Sequence, residues 1–163
     1  MRFFWWATLS AYLLSGCATP TRPPLRSSEA VMPQTEWQGR LSVTVVSTPP
    51  TAMSARFLLR GDVSNGTLDL YSPLGTTVGA LQWSPQQVQL SDGKQLQNFE
   101  SLAELTEKIT GAALPMAAIF NWLEGKNDPV AGWQTDFSGV HQGSLMARRT
   151  APTPEVTLRI KLD

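Results

Sequence analysis

The sequence predicts a mainly β protein, a curved antiparallel sheet with a pair of helices placed over one side. Three observations predict it. Apolar residues alternate at period two through most of the chain after Glu36. Asp62-Val63-Ser64-Asn65-Gly66, with its Asn-Gly hairpin signal, and Asp92-Gly93 fall between alternating runs, where hairpin turns belong. In the middle of the chain the period lengthens to that of a helix, and alternation then returns.

The first strand is WQGRLSVTVVS. Trp37, Leu41, Val43 and Val45 share one face, and Arg40, Ser42 and Thr44 the other. A Thr-Pro-Pro-Thr break follows. In MSARFLLRG, Met53, Ala55, Phe57 and Leu59 oppose Ser54, Arg56 and Arg60. TLDLYS places Leu68 and Leu70 together. TTVGALQW is the next strand, and its Gly79 marks a bulge or bend. VQLS and KQLQ flank Asp92-Gly93. These segments form an antiparallel meander.

Ser101 and Glu104 have the spacing of a capping box. Leu102, Leu105 and Ile109 then make a helical stripe, Glu104 and Lys108 are placed to pair, and Gly111 ends the helix. A second helix starts at Pro115 and stops at Gly125. Its Met116, Ile119, Phe120, Trp122 and Leu123 are apolar over a wider arc than a short surface helix needs. WQTDFS, SLMARR and EVTLRIKL return to alternation. The last has Val156, Leu158, Ile160 and Leu162 against Glu155, Thr157, Arg159 and Lys161.

The N-terminal region has a different character. Met1-Arg2 is followed by FFWWATLSAYLL, too short for a membrane span of ~20 residues but suited to a signal-peptide core. Leu14-Ser15-Gly16-Cys17 then matches a bacterial lipobox, in which the cysteine is acylated and becomes the first mature residue. An ordinary secretory signal with a stray cysteine is the other reading. Ala18, in place of the aspartate that commonly retains lipoproteins at the inner membrane, favours the outer membrane. Residues 18–36 carry Pro20, Pro23, Pro24 and Pro33 and read as an extended tether, able to reach ~60 Å at ~3.3 Å per residue. The expected organisation is a signal peptide at 1–16, lipidated Cys17 and tether at 17–36, and a folded domain at 37–163.

Composition narrows the function. The 163 residues carry 13 basic and 13 acidic side chains, which gives no electrostatic reason to expect nucleic acid. The single cysteine, Cys17, excludes an intrachain disulfide. His141 is the only histidine, so a His-rich metal site is excluded and no catalytic group is assigned. No phosphate-binding or dinucleotide glycine motif and no G-x-S-x-G elbow occurs, and no cofactor is expected.

Apolar surface remains as the working chemistry. A half-rolled sheet under a helical pair can enclose a hydrophobic cavity. Candidate wall residues are Leu41, Val43, Val45, Phe57, Leu59, Leu68, Leu70, Met116, Ile119 and Trp122. Plain core packing has the same alternation, so periodicity leaves both readings open. The turn Ser72-Pro73-Leu74-Gly75 adds a second feature, a leucine where turns carry polar residues. Leu74 either folds back onto the core or stands at the tip.

The lipobox, the strand pair around YSPLGTT, the QVQLSDG hairpin, the segment LTEKITGAALPMAAIFNWLEG and the LRIKL ending together resemble the LolB family of outer-membrane lipoprotein receptors. The resemblance runs from about Trp37 to the end. It implies an incomplete antiparallel β-barrel with a helical lid enclosing a hydrophobic cavity. It also implies a function without enzymatic chemistry, ATP or metal. The cavity accepts acyl chains of other lipoproteins from the soluble periplasmic carrier LolA, and the protein passes them into the outer membrane. Its partners are then LolA, lipoprotein cargo and outer-membrane lipid. A tethered monomer is the simplest reading of its oligomeric state. Leu74, held by Pro73 and Gly75, takes the place of the family's exposed apolar loop residue and is expected to contact the membrane. Residues 18–36 are proline-rich where the family usually has a helix, which implies a smaller lid. A structural or assembly lipoprotein that binds protein partners is the alternative, and an esterase-like protein would have to recruit His141.

Overall fold

The computed structural model describes residues 35–163. The signal segment, Cys17 and nearly all of the tether lie outside the described residues. Among the described residues, one antiparallel sheet holds nine strands in the order β6-β5-β4-β3-β2-β1-β9-β8-β7. The strands are β1 (Glu36–Val46), β2 (Thr51–Gly61), β3 (Gly66–Tyr71), β4 (Thr77–Ser84), β5 (Gln87–Ser91), β6 (Leu96–Phe99), β7 (Trp133–Asp136), β8 (Ser144–Arg149) and β9 (Glu155–Leu162). Two helices, α1 (Leu102–Thr110) and α2 (Met116–Leu123), interrupt the meander after β6. β6 and β7 are the two edges and do not pair, so the sheet is an open half-barrel.

Each strand expected from alternation is present. β1 begins at Glu36, one residue before the expected boundary. The last strand returns to the first, with Leu41 opposite Ile160 and Val43 opposite Leu158, and this pairing joins the two runs of strands into one sheet. Side chains at Val43, Val45, Phe57, Leu59, Leu81, Leu158 and Ile160 are buried on the inner face. The intervening positions are exposed or half-buried, as period two requires. The bulge expected near Gly79 occurs between Leu70 and Tyr71, where the partner jumps from Gly79 to Thr77.

Local chemistry differs from expectation at three places. The hairpin turn expected over residues 62–66 is present at residues 62–65, but Asn65-Gly66 is not its central pair. Gly66 already pairs in the ladder with Trp83, whose ring would lie 2.3 Å from an added Cβ. The turn is held instead by the Asp62 carboxylate, which accepts from the Ser64 and Asn65 amides at 2.6 and 2.8 Å. Ser101 caps α1 by accepting from the Glu104 amide at 3.1 Å, but Glu104 reaches back to the Glu100 amide at 2.8 Å. That carboxylate forms no ion pair with Lys108 among the described residues. Pro115 is the N-cap of α2 rather than its first helical residue. Gly111 and Gly125 end the two helices with φ of 84° and 76°, a region that favours glycine.

Candidate functional site

An apolar cavity of about 60 Å³ lies between the inner face of the sheet and the two helices. The sheet supplies Leu41, Val43, Met53, Phe57, Leu59, Leu68, Leu70, Leu81, Leu158 and Ile160. The helical segment supplies Thr106, Ile109, Thr110, Leu114, Met116, Ile119 and Leu123. Two of these carry hydroxyls, and both hydroxyls are occupied by backbone. Thr106 Oγ1 accepts from the Leu114 amide and donates to the Ala103 carbonyl, each at 3.0 Å. Thr110 Oγ1 lies 2.8 Å from the Thr106 carbonyl and 2.9 Å from that of Ala112. The wall therefore offers a ligand no unpaired side-chain polar group, and its chemistry is hydrocarbon contact.

Leu41, Val43, Phe57, Leu59, Leu68, Leu70, Met116 and Ile119 from the expected set all reach the cavity. Val45 and Trp122 do not. Val45 is fully buried beside Val156 in the β1–β9 ladder. Trp122, also fully buried, donates its indole N–H to the Asp128 carbonyl at 2.8 Å and packs on Trp133. Its ring is fixed in the core by that hydrogen bond. Met53, Leu81, Leu158 and Ile160 share the alternating faces of the expected set, and that alternation is the signal that points to them. Thr106 and Thr110 extend the stripe of Leu102, Leu105 and Ile109 at helical spacing, a signal obscured by their polarity.

The helices cover the cavity without hydrogen bonds to the strands. Among the described residues, the side-chain bonds of α1 and α2 stay within the segment from Glu100 to Asp128. Only apolar packing holds this cover onto the sheet, and such packing is non-directional.

The turn from Ser72 to Thr76 has a defined geometry. The Gly75 amide donates to the Ser72 carbonyl at 2.9 Å, and the Ser72 amide to the Thr76 carbonyl at 2.8 Å. Gly75 has φ of 83°. A β-turn followed by a left-handed glycine is the usual form of a three-residue hairpin loop. Pro73 suits the second position of such a turn, and Leu74 follows at the third. Leu74 is 94% exposed, so it does not fold back onto the core. Val78, at the adjoining bulge, is 52% exposed.

Titratable groups do not converge on the cavity. Asp92 is held below the ordinary aspartate range by the Gln95 and Lys94 amides, and Asp136 by Ser138. Arg60 is raised by its hydrogen bond to Glu36. Asp92 and Asp136 are exposed and Arg60 is half-buried, and all three fasten turns or strands. His141 lies exposed on a 3-10 turn. No cluster of potential metal ligands occurs among the described residues.

An open antiparallel half-barrel with a helical cover over a hydrocarbon-lined cavity, and with an apolar residue projecting from one hairpin, defines a class of lipid-handling protein. The family model described as outer membrane lipoprotein LolB matches residues 34–156, and the chain belongs to that family, the outer-membrane receptors of lipoprotein localisation. A relative from Bordetella petrii, named outer-membrane lipoprotein LolB, is 27% identical, over 98% of this chain and 91% of its own. Relatives of the same name from Shewanella baltica strain OS155 and Azoarcus sp. strain BH72 are 32% and 30% identical, over 75% and 77% of this chain. The chain spans 58% and 64% of the length of those two. Membership places the protein at the outer membrane, lipid-anchored and facing the periplasm.

Proposed function

We propose that the cavity receives the acyl chains of other lipoproteins from the soluble carrier LolA, and that the protein, a monomer anchored through acylated Cys17, releases them into the outer membrane. The observation that carries this reading is a cavity wall without free polar groups beneath a cover held by apolar contact alone.

The cavity must grow to do this. At about 60 Å³ it is well below the roughly 150 Å³ that takes a benzene ring. An acyl chain therefore enters by displacing α1 and α2 from the sheet. Among the described residues, no side-chain hydrogen bond between helix and strand opposes that movement. The methylenes of the entering chain take the place of helix side chains against the wall. Each CH₂ moved from water into the cavity is stabilised by ~0.8 kcal/mol. Delivery to a bilayer needs no energy source if the membrane holds the chains more strongly than the cavity does. No bond is made or broken, so the reading requires no catalytic residue.

Leu74 brings the cavity to the membrane. Burying its side chain in the acyl region stabilises the docked state by roughly 1.5–3 kcal/mol. That is small beside a lipid anchor but sufficient to bias orientation. Pro73 and the left-handed Gly75 hold the tip in position. Leu74→Glu is expected to leave the thermal unfolding midpoint and uptake of a fluorescent fatty acid unchanged while slowing delivery of a lipoprotein to vesicles at least tenfold. Wild-type delivery would eliminate the membrane-contact role. Failure of the wild-type protein to bind the fatty-acid probe saturably would instead favour a structural lipoprotein.

A further inference from the structure

We propose that the convex face of the sheet carries a docking surface for anionic phospholipid headgroups, built on Arg56, Arg40 and Lys161 and extended by Arg159. It rests on the reading of Leu74 as a membrane contact and specifies the lipid chemistry that accompanies it.

The strand register creates the surface. Arg56 of β2 stands opposite Arg40 of β1, and Arg40 stands opposite Lys161 of β9. Arg159 lies farther along β9, opposite Ser42. All four are exposed. Like charges directly opposite one another destabilise a sheet. A chain with 13 acidic residues has carboxylates to interleave, and elsewhere on this face it does so. Arg60 is bridged by Glu36 at 2.7 Å and by Asp69 at 3.9 Å, and Arg148 by Glu155. Within the basic row, Arg56 meets Asp163 at 3.4 Å. Arg40, Lys161 and Arg159 form no ion pair with a described carboxylate. Arg40 and Lys161 stand opposite one another with no carboxylate between them, the Lys161 ammonium donating to the Gln142 carbonyl; two such cations on neighbouring strands oppose folding, and an anionic partner converts that cost into binding.

Position identifies the partner. Arg56 pairs across to Tyr71, the last residue of β3, and Leu74 follows three residues later. At ~3.3 Å per residue Leu74 lies no more than about 10 Å from Tyr71, and Arg56 stands about 5 Å to the side of Tyr71 on the neighbouring strand. Arg56, Tyr71, Gly75 and Asp163, the carboxylate partner of Arg56, also line one shallow depression. Each polar layer of a bilayer is roughly 5–7 Å thick. A leucine seated at the edge of the acyl region therefore sets Arg56 near the phosphates, with Arg40 and Lys161 beside it along the row. Guanidinium forks match phosphate oxygens in shape as well as charge.

The test uses the intact lipidated protein in nanodiscs of phosphatidylcholine, alone or mixed with phosphatidylglycerol. The rate of amine acylation at Lys161 is followed by mass spectrometry, with Lys108 and Lys126 as internal references. Lys161 labelling is expected to slow about fivefold in the anionic discs, the factor one charge contributes near such a surface. The wild-type rate should return in about 0.5 M salt. An Arg40→Gln/Arg56→Gln variant should lose the lipid dependence, and Arg40→Gln alone, which breaks no ion pair with a described carboxylate, should unfold at the same temperature as the wild type or higher. Equal labelling in both discs, equal slowing in both, or a lowered unfolding midpoint in Arg40→Gln would overturn the proposal. So would slowing produced by adding the soluble carrier to neutral discs, which would assign the row to an acidic protein. Leu74→Glu separates the two readings. If it blocks delivery while Lys161 ignores the lipid, membrane contact stands and headgroup docking falls. If it delivers normally, membrane contact itself falls.

Discussion

Aromatic and aliphatic side chains divide the interior of the half-barrel between them. Phe120 meets the rings of Trp37 and Trp83 at 5.6 and 6.2 Å, and Trp122 meets Trp133 at 5.9 Å. The indoles of Trp83 and Trp122 are tied to the Asp62 and Asp128 carbonyls at 3.0 and 2.8 Å. Beside these clusters, the cavity wall is built of Leu, Ile, Val and Met with Thr106 and Thr110 from α1, and Phe57 is its only ring among the described residues. The aromatic regions have preferred ring geometries and hydrogen bonds, so they have one good arrangement. The wall has no ring pairs, and its only side-chain hydrogen bonds, from Thr106 and Thr110, stay within the helical segment, so its aliphatic part can repack around a guest at little cost. One helix serves both regions: α2 turns Phe120 and Trp122 to the clusters and Met116 and Ile119 to the cavity. The contrast explains how a small domain keeps a stable fold while leaving part of its interior available.

The contrast predicts unequal costs of truncation. Phe120→Ala should be the most damaging change, destabilising by about 3–5 kcal/mol in urea unfolding, because it removes the ring shared by Trp37 and Trp83. Leu68→Ala, at a half-buried position on the cavity wall, should cost no more than about 2 kcal/mol, the low end for such changes. It should preserve saturable binding of a fatty-acid probe. If the two variants lose equal stability, the wall is ordinary core and the distinction fails. Ser101→Ala tests the cover by itself and should cost about 1 kcal/mol, the usual worth of an N-cap. Hydrogen exchange should quicken in α1 and remain unchanged in β1 and β2. Faster exchange spread evenly over the sheet would show that the cover does not move as a separate unit.

Much of this arrangement was legible in the chain. Period-two runs located the strands, the change at Ser101 located the helices, and the helix-ending glycines were visible as such. The Pro-Leu-Gly turn was legible as a turn, because Pro73 and Gly75 suit successive positions of one hairpin loop. Other details were decided by competition between partners too far apart for a local reading. Glu104 could serve Lys108 or a backbone amide, and the amide of Glu100 prevailed. Gly66 could form a turn or leave room for an indole, and Trp83 took the room.

The sequence by itself determined the kinds of element, their order and the faces that avoid water, because solvent acts on each residue through its own side chain and its near neighbours. Tertiary structure decided which buried residues face empty space, which pack solidly, and which cations meet across the convex face. Alternation assigns Val43 and Val45 to the same side of β1, yet Val43 borders the cavity and Val45 is sealed beside Val156. The physical reason is that a void or a row of charges belongs to the spacing between strands and helices brought together from distant parts of the chain.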